Sequence, residues 1–120
     1  MKTRRLAALA AILLPFAQCE AVNATIVAAY CSETDSVGIQ ANESGAYAAE
    51  AALRDCNIAS GTVGCCAIID TTDATCMSVA TTPSGAYGTG VGDYEVDSSS
   101  SAVENCASAG CRAVHYKCQN

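Results

Sequence analysis

Tryptophan is absent from this chain and phenylalanine occurs once, as Phe16; beyond residue 24 there is no phenylalanine and Leu53 is the only leucine. Apolar area must then come from alanine and valine, which bury little at roughly 25 cal/mol per Å2, so the core is expected to be thin. Basic residues are equally scarce. Past residue 24 only Arg54, Arg112 and Lys117 stand against eleven carboxylates, a net charge of −8. That surface repels nucleic acid and anionic lipid and favours a cationic partner, although acidity also keeps an exported domain in solution. There is no apolar run of membrane-spanning length, no Cys-x-x-Cys, no Gly-x-Ser-x-Gly elbow, no Ser-x-x-Lys pair, and a single histidine, His115.

What the chain does have begins at its start. Lys2, Arg4 and Arg5 precede an apolar run from Leu6 to Phe16, the pattern of a signal peptide. Residues 1–24 are read as that leader, with cleavage after Val22-Asn23-Ala24 and a mature start at Thr25. Cys19-Glu20-Ala21 offers a second site, with a start at Val22. Cys19 could instead be lipidated, but Phe16-Ala17-Gln18 is a poor context for it, and Arg4-Arg5 is read as leader charge rather than as a twin-arginine signal. The expected location is secreted or periplasmic, with no membrane association unless Cys19 carries lipid.

Removing Cys19 leaves Cys31, Cys56, Cys65, Cys66, Cys76, Cys106, Cys111 and Cys118. An even set of this density in an exported chain reads as a disulfide framework. Four bridges at roughly 2–4 kcal/mol each would offset the thin core.

The chain also repeats itself. Ala52-Leu53-Arg54-Asp55-Cys56 recurs as Ala102-Val103-Glu104-Asn105-Cys106, and Gly64-Cys65-Cys66-Ala67-Ile68-Ile69 as Gly110-Cys111-Arg112-Ala113-Val114-His115, with four residues fewer in the second connection. Ile26 to Tyr30 corresponds loosely to Met77 to Thr81. Each unit opens with a strand, Thr25 to Cys31 or Thr75 to Thr82, followed by a turn cluster and a second strand, Val37 to Gln40 or Ala86 to Val91. Gly88, Gly90 and Gly92 in the latter suggest twist, a bulge or close backbone approach. A helix follows from Ser44 to Cys56, with Asn42 or Ser44 as cap and Ala46, Ala49, Leu53 and Cys56 inward. Its counterpart runs from Ser99 to Cys106, with Asp97 or Ser98 as cap and Ala102, Val103 and Cys106 inward. Each unit closes with a strand, Cys65 to Asp70 or Arg112 to Lys117. The expectation is one α+β, disulfide-stabilised domain over 25–120, built from two β-β-α-β repeats at 25–70 and 75–118.

The repeat suggests a pairing. Cys56 with Cys65 and Cys106 with Cys111 hold equivalent places; Cys66 then falls to Cys31, and Cys76 to Cys118. This is one of the 105 arrangements that eight cysteines allow.

Ala28-Ala29-Tyr30, Ala51-Ala52-Leu53 with Cys56, Gly64-Cys65, Cys76, Ser84-Gly85-Ala86-Tyr87-Gly88 with Gly90, and then Ala102, Cys106 and Cys111 together resemble the exported bacterial proteins grouped as domain of unknown function 4189. Val37 and Ile39 stand where such proteins often carry aromatics. The resemblance implies export, disulfides and this fold, and supplies no activity and no catalytic residue.

The residues bearing chemistry are few. His115 is expected to be solvated, on the strand face opposite Val114 and Tyr116, without the partners of a general base. Cys65-Cys66 reads as oxidised rather than metal-binding. Asp93, Glu95 and Asp97 alternate like calcium ligands but lack the glycine and terminal glutamate of an EF-hand loop. Gly85 to Gly92 does not fit a phosphate-binding fingerprint. The expectation is a non-enzymatic binding or interaction module without cofactor or metal. Its alternatives are an inhibitor or immunity protein covering a cationic cell-wall hydrolase, and a secreted effector.

Overall fold

The computed structural model describes residues 24–119, so all but the last residue of the expected leader, Cys19 included, lies outside the described residues. The chain runs β1 (Thr25–Cys31), β2 (Ser36–Asn42), α1 (Gly45–Ser60), β3 (Ala67–Thr72), β4 (Cys76–Thr81), β5 (Tyr87–Gly92), α2 (Glu95–Asn105) and β6 (Arg112–Cys118). This is β-β-α-β twice, an α+β fold. Each unit makes a three-stranded antiparallel sheet with its first strand in the centre, in the orders β2-β1-β3 and β5-β4-β6.

Strand alternation places the layers. From β1, Ile26, Ala28 and Tyr30 meet Met77 and Val79 of β4 between the two sheets, joined by Val37. On its other face Val27, Ala29 and Cys31 pack on Ala48, Ala52 and Cys56 of α1. In the second unit Ala80 packs on Ala102 and Cys106. The order of layers is therefore α1, sheet, sheet, α2, and each central strand is buried on both faces.

The helices come very close to their sheets. A Cβ built on Gly38 would strike Ala52 O and lie 2.6 Å from Cys56 N, and one on Gly88 would lie 2.6 Å from Ala102 O. The β5 glycines thus mark close approach of α2 rather than a bulge, and small residues are what allow a thin core to be dry.

Both helix faces differ from the expected ones. The inward stripe of α1 is Ala48, Ala52 and Cys56, with Ala49 and Leu53 half-buried and Ala46 exposed. Its start is held by both expected residues: Ser44 Oγ accepts from Tyr47 N at 3.3 Å, and Asn42 Oδ1 from Ser44 N at 2.9 Å. The helix continues past Cys56 to Ser60 and stops at Gly61, whose φ of 72° suits a left-handed cap. α2 begins at Glu95, four residues before the expected start, with Tyr94 at the cap position and no side-chain cap. Its inward residues are Ser98 and Ala102, while Val103 is turned outward and 40% exposed.

Two hydroxyls of the serine run, those of Ser98 and Ser99, have partners inside the fold. Ser78 and Ser98 are fully buried, with their Oγ atoms 2.6 Å apart; Ser98 Oγ donates to Glu95 O at 3.0 Å, and Ser99 Oγ lies 3.0 Å from Ser78 Oγ. Val27 and Ala48 fill the same place in the first unit. A hydrogen-bonded trio thus replaces an apolar contact, which satisfies the buried hydroxyls.

Four disulfides tie the layers: Cys31–Cys65, Cys56–Cys66, Cys76–Cys118 and Cys106–Cys111. The last two join the partners that the repeat suggests. The first two exchange partners relative to the expected Cys56–Cys65 and Cys31–Cys66, and strand register shows why. Ala29 pairs with Ile68 and Ala80 with Ala113; Ala28 pairs with Asp70 and Val79 with His115; the shift between them passes over Ile69 in one unit and Val114 in the other. Cys66 is therefore the equivalent of Cys111, and the second connection is five residues shorter, not four. Gly64 and Gly110 share a left-handed φ, 89° and 86°. Cys65 is the extra residue inserted after that glycine, and it takes Cys31, which has no counterpart cysteine.

Candidate functional site

The register that corrects the disulfides also exposes a difference between the units. An open groove of about 510 Å3 runs along α2 beside β6, lined by Glu95, Val96, Ser99, Ser100, Val103, Glu104 and Ala113. Val96, Ser99, Ser100 and Val103 have the i, i+3, i+4, i+7 spacing of one helix stripe. This is a second stripe, beside the Ser98 and Ala102 stripe that faces the sheet. Ala113 belongs to the α2-facing side of β6, since it pairs with Ala80.

In the first unit the places of Val103 and Ala113 are held by Leu53 and Ile68, both longer. Leu53 packs on the core between α1 and its sheet, beside Cys65 and Cys66. The second unit has a shorter connection there, smaller side chains and no counterpart of Cys31–Cys65.

Glu95 and Glu104 stand at the two ends of the stripe, and no lysine, arginine or histidine lines the groove. Nine residues of helix separate them, or about 13 Å along the axis. Val96 is 66% exposed, so the groove presents apolar surface between two carboxylates.

The other candidates are structural in this fold. Asp93-Tyr94-Glu95-Val96-Asp97 is not a ligand loop: Glu95 and Asp97 lie in the first turn of α2, where carboxylates complement the helix dipole. Among the described residues no cluster of three His, Cys, Asp or Glu side chains is placed to hold a metal ion. All eight cysteines among the described residues are bridged, Cys65 and Cys66 included. His115 is exposed on β6; its pairing with Val79 puts it on the side facing the first sheet, opposite Tyr116. Gly85 forms the β4–β5 turn with φ 99°, and Gly88 and Gly90 admit α2.

The strongly shifted titrating group is Tyr30. Burial, then the Asp35 charge and the hydrogen bond to it, push its phenol up to about 12. Its hydroxyl donates to Asp35 Oδ1 at 3.2 Å and its ring meets that of Tyr87 at 5.2 Å between centroids. Tyr30 thus stays protonated at neutral pH and fastens the β1–β2 turn, where Asp35 has φ 53°.

None of the groove residues follows from the motifs searched in the sequence. The signal was present in the 96, 99, 100, 103 spacing, but a helix started at Ser99 hides it.

The fold spans 24–119, and a family model described as a domain of unknown function, DUF4189, matches residues 24–118. The chain belongs to this family. No match was found among curated proteins or among solved structures. In this DUF4189 domain the cysteines, the glycines under the helices and the paired central strands carry the fold. Among the described residues no helix is long and apolar enough to cross a membrane. Four disulfides are the chemistry of an oxidising compartment.

Proposed function

We propose that this DUF4189 domain is an exported, non-enzymatic binding module whose partner is a cationic protein, acting in the periplasm or outside the cell. The observation that carries the reading is the open groove between α2 and β6, where Glu95 and Glu104 flank a stripe that includes Val96 and Val103 in a domain of net charge −8 past residue 24. Opposite charge on the partner would speed encounter and set orientation, while the apolar stripe would supply contact area. Inhibition of a cationic cell-wall hydrolase is the special case in which that partner is an enzyme.

The test uses the full chain, exported and processed, immobilised without reduction. At low ionic strength it is expected to retain a basic muramidase and to let an acidic protein of similar size pass, with retention falling as salt rises through the range where the Debye length drops from about 30 Å to about 10 Å. Equal retention of both proteins, or of neither, contradicts the reading. Slowed cell-wall lysis in the same mixture would select the inhibitor case.

A further inference from the structure

We infer that the groove between α2 and β6 receives an amphipathic helix of the partner, with basic side chains placed to reach Glu95 and Glu104. This rests on the binding-module reading above and gives the partner's form. A helix packs on another through ridges at i+3 and i+4, and Val96, Ser100 and Val103 stand in such a row on the open side, with Ser99 half-buried between them. The small Ser99 and Ser100 between two valines let a second helix axis come close. The floor is the helix-facing side of β6, which α2 leaves exposed at Ala113 because α2 is seated on the β5 glycines. A second helix lying there would complete the layer that α2 begins.

Charge selects the occupant. Glu95 and Glu104 are about 13 Å apart along the axis and, at about 100° per residue, on opposite edges of the stripe, so they match basic residues two to three turns apart that flank the contact face of an incoming helix on its two sides. With Asp97 they leave α2 without a basic residue. An acidic or neutral helix would bring no counter-charge to either end. The first unit differs in charge and size there: Arg54 stands in place of Glu104, and Leu53 in place of Val103.

The experiment titrates the processed, isotope-labelled chain with a synthetic helical peptide of leucine, alanine and lysine, and with the same peptide carrying glutamate for lysine. The lysine peptide is expected to shift amide signals of α2 and β6 and to leave those of α1 and β3 in place. Val103→Lys should weaken it about tenfold or more, and E95Q with E104Q a few-fold while flattening the salt dependence. Both sites are exposed, and unchanged amide dispersion of the variants establishes that they fold. Shifts on another face, or affinity indifferent to these variants, overturn the helix site. Failure to bind the peptide while a basic protein is still retained overturns this inference and leaves the binding module standing. Failure of both removes the two together. A self-associated chain that dissociates on Val103→Lys would make a second copy the occupant and overturn the cationic helix.

Discussion

Gly88→Ala is expected to be among the most damaging single substitutions in the domain, although it adds one methyl group. Gly88 lies on β5 opposite Ala80, and its added carbon would meet main-chain atoms of α2, 2.6 Å from Ala102 O. No rotamer relieves a clash with backbone, so α2 would have to lift from the sheet and give up Ala80, Ala102 and Cys106. A loss of ~3 kcal/mol or more follows, at or beyond the upper end of ordinary overpacking. For a domain of this size that is roughly 12–24 °C in Tm. Gly61→Ala is the control: φ is 72° and nothing lies within 4 Å, so the change is limited to the left-handed backbone at about 1–2 kcal/mol. Equal thermal shifts for the two variants would contradict the close packing of helix on sheet.

The second large effect belongs to Cys76–Cys118. This bond closes 42 residues and joins the central strand of the second sheet to its last strand. Loop-closure entropy gives it about 4 kcal/mol, whereas Cys106–Cys111, separated by 5 residues, is worth about 2 kcal/mol. Replacing Cys76 and Cys118 by serine should lower the denaturant midpoint about twice as far as replacing Cys106 and Cys111. The reverse order, measured by unfolding without reductant, would mean that strain or unfolded-state structure outweighs loop length. With so little large apolar side chain in the core, either loss takes a substantial share of a stability that is ordinarily 5–15 kcal/mol.

Much of this architecture is readable from the residues. Alternation and turn residues place the six strands, and the recurrence of Ala52-Leu53-Arg54-Asp55-Cys56 shows that the serine run is a helix. Two things stay hidden for physical reasons. The first is the one-residue insertion at Cys65: sequence likeness aligns Gly64-Cys65 with Gly110-Cys111, whereas backbone hydrogen bonding equates Cys66 with Cys111. Pairing depends on where strands sit, and an extra residue between a turn glycine and a strand leaves no mark in composition.

The second is the facing of the helices. An alanine-rich segment offers small residues on several stripes, so Ala46 and Ala48 are equally plausible inward until the glycine beneath the helix picks one. In α2 the inward position is a serine, Ser98, whose polarity disguises it, and the outward one is a valine, Val103, whose polarity does the same. The groove depends on that exchange.

The two units are equivalent at Cys66 and Cys111, and that register makes Leu53 and Ile68 the counterparts of Val103 and Ala113. The direct measurement is disulfide mapping of the protein produced under oxidising conditions, digested without reduction and fragmented by electron transfer so that Cys65 is resolved from Cys66. The result predicted is Cys56 linked to Cys66 and Cys31 linked to Cys65, alongside Cys76–Cys118 and Cys106–Cys111. Finding Cys56 linked to Cys65 and Cys31 to Cys66 would contradict the register, and with it the equivalence of the two units.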